Sequence, residues 1–149
     1  MRVVRNSVMA VLVCAAATAP APSAQAGAEL NGTDPRESGC ARDSVITATI
    51  PLTDPSGAPT RLVLTVRRSP GCDTRWIDLV NPYPSGYAQV ETSIAVAYTD
   101  ITSSHTGTAT GLHRSPQVFA PGRTCIEVGA VVTGAGGVLA GGAEPTTFC

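Results

Sequence analysis

Lysine is absent from this 149-residue chain: its ten basic residues are all arginine, set against eleven acids. That balance gives no electrostatic footprint for nucleic acid. The glycine-rich stretch 134–142 has neither a lysine nor a strand-to-helix context, which excludes a phosphate-binding loop. Aromatic residues are scarce, with one Trp, three Tyr and two Phe, so a core must be built mainly from Val, Leu and Ile. No segment carries the apolar period of an amphipathic helix of useful length. There is no Gly-x-Ser-x-Gly nucleophile turn. After residue 26 no apolar run approaches the roughly 20 residues of a membrane span, so stable membrane insertion is not expected.

What is present begins with a leader. MRVVRNS carries Arg2 and Arg5, a short apolar run VMAVLVCAAATA follows, and Ala24-Gln25-Ala26 sets small residues where a signal peptidase reads. This is the pattern of a secretory signal peptide cleaved after Ala26, and it predicts an extracellular protein. Cys14 raises lipid attachment as an alternative, but Val13 stands where a small residue is needed. Cleavage leaves about 123 residues, the size of one domain, with eight arginines and eleven acids, a net charge of about −3. The expected organisation is a signal peptide (1–26), a short irregular arm (27–39) and one β domain (40–149). An all-arginine basic set with abundant Ala, Gly, Pro and Val points to a GC-rich bacterial genome.

Four cysteines remain: Cys40, Cys72, Cys125 and Cys149. In an exported chain an even count reads as two disulfides, with three possible pairings. Cys40–Cys72 with Cys125–Cys149 is favoured, because each bond then closes a loop within one half of the chain. Each should stabilise by roughly 3–4 kcal/mol on the chain-entropy model. A zinc site is the competing use, but no Cys-x-x-Cys is present and the compartment is oxidising. No metal and no cofactor is expected.

The rest reads as strands. SVITATI (44–50) is β-branched and stops at Pro51, and Asp54-Pro-Ser-Gly57 is a turn. RLVLTVR (61–67) puts Leu62, Leu64 and Val66 on one face. WIDLV (76–80) ends at the turn cluster NPYPSG. The longest alternation, 89–98, groups Val90, Ile94, Val96 and Tyr98, with Glu91 and Ser93 pointing away. Segment 99–111 is polar and small, a surface loop or weak edge strand. Val118-Phe119, a turn at 120–123 and 124–132 read as a hairpin, and 146–149 as a closing edge strand. Short strands between Gly/Pro turns predict an all-β fold, a single small antiparallel sandwich or barrel braced by two disulfides.

A family likeness rests on motifs in order. Gly32-Thr-Asp-Pro35 with Gly39-Cys-Ala-Arg-Asp-Ser-Val45, then Val66-Arg-Arg-Ser-Pro-Gly-Cys72 with Trp76, then Val118-Phe-Ala-Pro-Gly122 with Cys125-Ile-Glu-Val128, resemble a secreted bacterial domain of unknown function, the DUF 2690 type. The resemblance implies a small secreted disulfide-bonded domain and supplies no reaction. Leu30 and Asn31 stand where that family often has a further cysteine, and Trp76-Ile77-Asp78 replaces its Trp-Ala-Arg.

Candidate binding residues are Arg67, Arg68, Trp76, Asn81, Tyr83 and Tyr87. Exposed tryptophans stack on sugars or anchor interfaces, but Trp76 also fits a core position beside the Cys40–Cys72 bridge. Arg67 and Arg68 alternate to opposite faces of a strand, and contact with Asp43 or Asp78 is a structural use for them. His105 and His113 lie in or beside the polar stretch and read as loop surface. No catalytic set emerges. The first functional expectation is a non-enzymatic interaction module, an adaptor or accessory subunit whose edges, 143–149 or the N-terminal arm, pair with another secreted protein. The alternatives are binding of a cell-surface glycan or cell wall through Trp76, Tyr83, Tyr87 and Asn81, and protease inhibition with 68–72 as the reactive loop. A hydrolase using His105 or His113 comes last.

Overall fold

The computed structural model describes residues 27–135 and 139–149; the leader at 1–26, with Cys14, and residues 136–138, with Gly136 and Gly137, lie outside the described residues. Among the described residues the chain forms β1 (Val45–Thr53), β2 (Pro59–Ser69), β3 (Thr74–Asn81), β4 (Ala88–Val96), β5 (Thr102–Gly107), β6 (Gly111–Arg114), β7 (Val118–Phe119), β8 (Ile126–Gly134) and β9 (Leu139–Phe148). The helical pieces are two short 3-10 turns, Ala28–Leu30 and Cys40–Asp43. No helix among the described residues is long and apolar enough to cross a membrane.

Strand order is β5-β4-β8-β9-β1-β2-β3-β6, all antiparallel, with β7 added to β3. The sheet curls so that its ends, β5 and β6, meet without pairing. In the middle, β9 and β1 are joined, among the described residues, by a single pairing, Thr53 with Gly142. The protein is therefore a nearly closed antiparallel barrel made of two four-stranded halves, with a seam on each side. The core fills the space between them: Leu62, Leu64 and Val66 of β2, Ile77 and Leu79 of β3, Val90 and Ile94 of β4, and Val128 and Val132 of β8. Period-two alternation selects these positions, and β-branched and leucine side chains fill them with almost no aromatic help.

The two halves touch where a glycine lets them. Gly141 is buried, and a Cβ there would lie 2.8 Å from Leu62 Cδ1 and 3.2 Å from Thr60 Cγ2. Its missing side chain admits β9 to the end of β2, beside the one β1–β9 pairing. Toward the start of β1 the strands part. A register shift at Thr47 bends β1. Val45 and Ile46 are left 49% and 56% exposed, although β-branched residues of this kind belong inside.

Both disulfides form with the favoured pairing, Cys40–Cys72 and Cys125–Cys149. Several local expectations need correction. β9 is longer than the expected 146–149: it spans Leu139–Phe148, pairs along β8 and stands next to β1 in the strand order, which it meets at Gly142. Val118-Phe119 does not form a hairpin with β8. It pairs with Thr74 and Arg75 of β3, and the turn after it crosses the end of the barrel to reach the other half. Tyr98 does not continue the apolar face of β4; the strand ends at Val96, and Tyr98 sits at φ 63°, 97% exposed. The 99–111 stretch does hold an edge strand, β5.

The N-terminal arm is tied down. Gly32 N–H donates to the Gln117 carbonyl, Gln117 N–H donates to the Thr33 carbonyl, and the Asn31 side chain accepts from Phe119 N–H at 2.6 Å. The fully buried Gln117 side chain donates to Thr33 Oγ1 and Ser38 Oγ and accepts from Thr74 Oγ1, each at 2.8 Å. A buried amide with all these partners fixes the arm against the outer face of β3.

Candidate functional site

The six candidate residues do not form one surface. Trp76 is fully buried, yet it is not part of the barrel core. Alternation puts it on the outer face of β3, between Thr74 and Asp78, under the arm that Gln117 holds in place. The Arg114 guanidinium lies 5.9 Å from its ring centroid. Trp76 is thus withdrawn from any ligand, which corrects its place in the candidate set. Asn81 is also withdrawn: it is fully buried, its Nδ2 donates to the Ala109 carbonyl and its Oδ1 accepts from Tyr83 N–H. Its amide shapes the turn instead of meeting a sugar. Tyr83 and Tyr87 do come together, with ring centroids 5.5 Å apart. Tyr83 packs against the core, which leaves Tyr87 as the exposed ring of the pair.

Arg67 and Arg68 point to opposite faces. Arg67 joins the outer cluster, with Nε 2.9 Å from Asp78 Oδ2 and Nη1 donating to Ser44 Oγ. In the reactive-loop candidate 68–72, Pro70 and Gly71 are exposed while the residues on either side of them are tied down. Ser69 is fully buried, and its hydroxyl donates to Asp43 at 2.5 Å, a bond that holds the Asp43 pKa below its ordinary value.

Arg68 belongs to a different assembly. It continues the face of Leu62, Leu64 and Val66, so it enters the end of the barrel. Directly opposite it in register is Arg75. With Arg123, Thr47, Gly122, Phe148 and Cys149 these two line a pocket of about 260 Å³. Arg75 is 7% exposed, its Nη2 donates to the Gly122 carbonyl at 3.2 Å, and its Nε is buried without a partner. Burial, and then the charge of Arg68, pull its pKa below the ordinary arginine value. Arg68 reaches Asp73 at 3.3 Å. Among the described residues no other carboxylate pairs with the three guanidiniums. Like charges opposite each other weaken a sheet, so this end of the barrel concentrates cationic charge at a cost to the fold.

Along the seam from this pocket lies a cleft of about 600 Å³ between β1 and β9, lined by Ile50, Pro51, Thr53 and Asp54 on one lip and Val131, Gly142, Ala143, Pro145 and Thr146 on the other. Both draw on the same two strands, since the pocket takes Thr47 from β1 and Phe148 from β9.

The second seam carries the histidines, and their expected surface position is wrong. Period two turns both inward, His113 from β6 opposite Leu79 and His105 from β5 opposite Thr92, so His113 is 4% exposed. His113 Nε2 donates to the Ala109 carbonyl at 2.8 Å, which leaves its Nδ1 to accept from His105 Nε2 at 3.1 Å. Gly107 makes room: a Cβ there would lie 2.8 Å from the His113 ring. This contact bridges the two free edges and has no nucleophile or carboxylate bonded to it. Burial, and then His113, hold the His105 pKa below its ordinary value. The unfolded chain therefore takes up more protons as pH falls past about 6.5, and stability falls with it. The melting temperature should be flat above pH 7 and drop toward pH 5, and His105→Gln should flatten that drop. An unchanged slope in the variant would show that the pair does not titrate on unfolding. The Asp43 contribution is separate, being lost only below its ordinary pKa of 3.8.

Arg75, Arg123 and Thr47 were not in the candidate set. A signal for Arg75 existed: it shares the inward parity of Ile77 and Leu79. Arg123 and Thr47 had none, because a crossing turn and a strand bulge put them there. Comparison with protein-family models, with curated proteins and with solved structures finds no match. The likeness to the DUF 2690 type therefore rests on the quoted motifs alone.

Proposed function

We propose that this protein is an extracellular, non-enzymatic interaction module that takes an extended segment of another secreted protein into the seam between β1 and β9. One observation carries this reading: among the described residues a single pairing joins the two strands, and an open cleft lies between them. The outward side of β1 over Val45–Ile50 has no strand partner among the described residues, and the exposed Val45 and Ile46 side chains extend its apolar surface. An added strand supplies backbone hydrogen bonds and covers those side chains. At about 3.3 Å per residue, the free length of β1 suits a segment of roughly five or six residues. Pro51 and Pro145 remove donors from the lips, a device that limits indiscriminate edge pairing.

The glycan reading has lost Trp76 and Asn81 to the interior, which leaves the strand-addition reading with the larger surface. Its test is selection of peptides of about ten residues, long enough to cover the seam, on the immobilised protein, followed by amide exchange of the complex. Slowed exchange over 45–50 and 143–148 is expected. Protection elsewhere, or no peptide retained, would end the reading.

A further inference from the structure

The pocket at the end of the seam has a chemistry of its own. Three guanidiniums line it, one of them more than nine-tenths buried, and among the described side chains the carboxylate that pairs with them is that of Asp73, itself partly exposed. Two of the three face each other across β2 and β3, an arrangement that costs the sheet stability. Arg68 and Arg75 each keep a buried Nε with no partner. The turn at 121–124, held by Thr124 N–H on the Pro121 carbonyl, puts Gly122 and Arg123 into the pocket wall together with Thr47 of β1 and Phe148 of β9.

We propose that this pocket binds the C-terminal carboxylate of the segment that occupies the seam, which makes the protein a reader of extended chain ends. The inference rests on the seam reading for its occupant. Charge complementarity selects an anion, and guanidinium forks match the planar carboxylate. The turn across the end of the seam favours a chain that stops there over one that continues past Arg123. Apolar residues one or two places before the carboxylate then meet Ile50, Pro51 and Ala143 in the cleft.

The experiment has two probes. The first is N-acetylalanine, a lone terminal carboxylate, titrated into the full mature protein with the arginine Nε–H resonances observed. Saturable shifts of the Arg75 and Arg68 signals are expected, weakened several-fold in Arg123→Gln, whose side chain is exposed and outside the core. Absence of any saturable shift up to high millimolar ligand overturns the proposal. The second probe compares seam-binding peptides as free acids, as C-terminal amides, and as amides with an internal aspartate. The free acid should bind at least tenfold more tightly than its amide, with the difference shrinking as salt is raised. Equal binding of acid and amide, with the seam amides protected in both, overturns the carboxylate pocket and leaves the seam reading standing. Equal binding of the free acid and the aspartate-bearing amide overturns the chain-end assignment. If N-acetylalanine shifts the arginines but no peptide protects the seam, the seam reading fails and the pocket survives. Arg75→Gln is a second variant, used with a thermal melt so that loss of fold is separated from loss of binding.

Discussion

Asp78→Ala is expected to lower the unfolding free energy by about 3–5 kcal/mol, the range for breaking a buried ion pair from one side. Asp78 stands on the outer face of β3 with its side chain 7% exposed. Arg114 grips it with both ends of its fork, Nε on Oδ1 at 2.6 Å and Nη2 on Oδ2 at 2.7 Å, and Arg67 lies 2.9 Å from Oδ2. The hydrogen bond to Asp78 is the main cause that raises the Arg114 pKa above its ordinary value. Removing the carboxylate strands two cations under the arm, one of them stacked near Trp76. For a domain whose total stability is typically about 5–15 kcal/mol, such a loss is severe. Urea unfolding followed by the emission of Trp76 would measure it. Asp78→Asn keeps the shape and two acceptor contacts, so it should cost less. A loss under about 1 kcal/mol for the alanine variant would mean that the trio behaves as a surface ion pair.

Trp76→Ala should be comparable, about 3–5 kcal/mol, because a large fully buried ring is lost from a site that cannot collapse. β2 and β3 form its floor, and the arm above it is fastened through Gln117 and Cys40–Cys72. Trp76→Phe should cost less than half as much. Trp76 Nε1 is a buried donor without a partner, and phenylalanine removes that uncompensated group along with part of the ring. Calorimetric melting would rank the two variants. Trypsin would add a local readout, since Arg36 is exposed on the arm and should be cut early in the alanine variant. If the alanine variant melted with the parent protein and its arm stayed resistant, the arm would owe its position to Gln117 and the disulfide alone.

These two residues also show how a strand can bury both faces. Inner positions of β3 meet the barrel core, as Ile77 and Leu79 do. Outer positions 74, 76 and 78 would face solvent in a bare barrel, and the arm covers them instead. WIDLV read alone shows a buried, near-continuous run, but nothing in it says that a 13-residue polar segment some forty positions earlier supplies the cover. Of that cover, only Cys40–Cys72 was readable beforehand, because cysteine count and loop length constrain pairing without coordinates.

The sequence by itself determined the class of this protein. Period-two runs broken by Pro and Gly turns can bury an apolar face only as antiparallel strands, and four cysteines in short loops pair within halves. The opposite facing of Arg67 and Arg68 was equally local, a consequence of strand geometry. What only the tertiary structure decided is whatever depends on which strands become neighbours. β7 joined β3 in place of β8, β9 came to lie beside β1, and two histidines eight residues apart turned inward to bridge a seam. The cationic pocket belongs to the same class. Its walls come from β1, β2, β3, β9 and a crossing turn, so residues as distant as Thr47 and Arg123 meet only when the barrel nearly closes. Alternation and turn chemistry act over a few residues, whereas barrel closure couples the ends of the chain through a shared core.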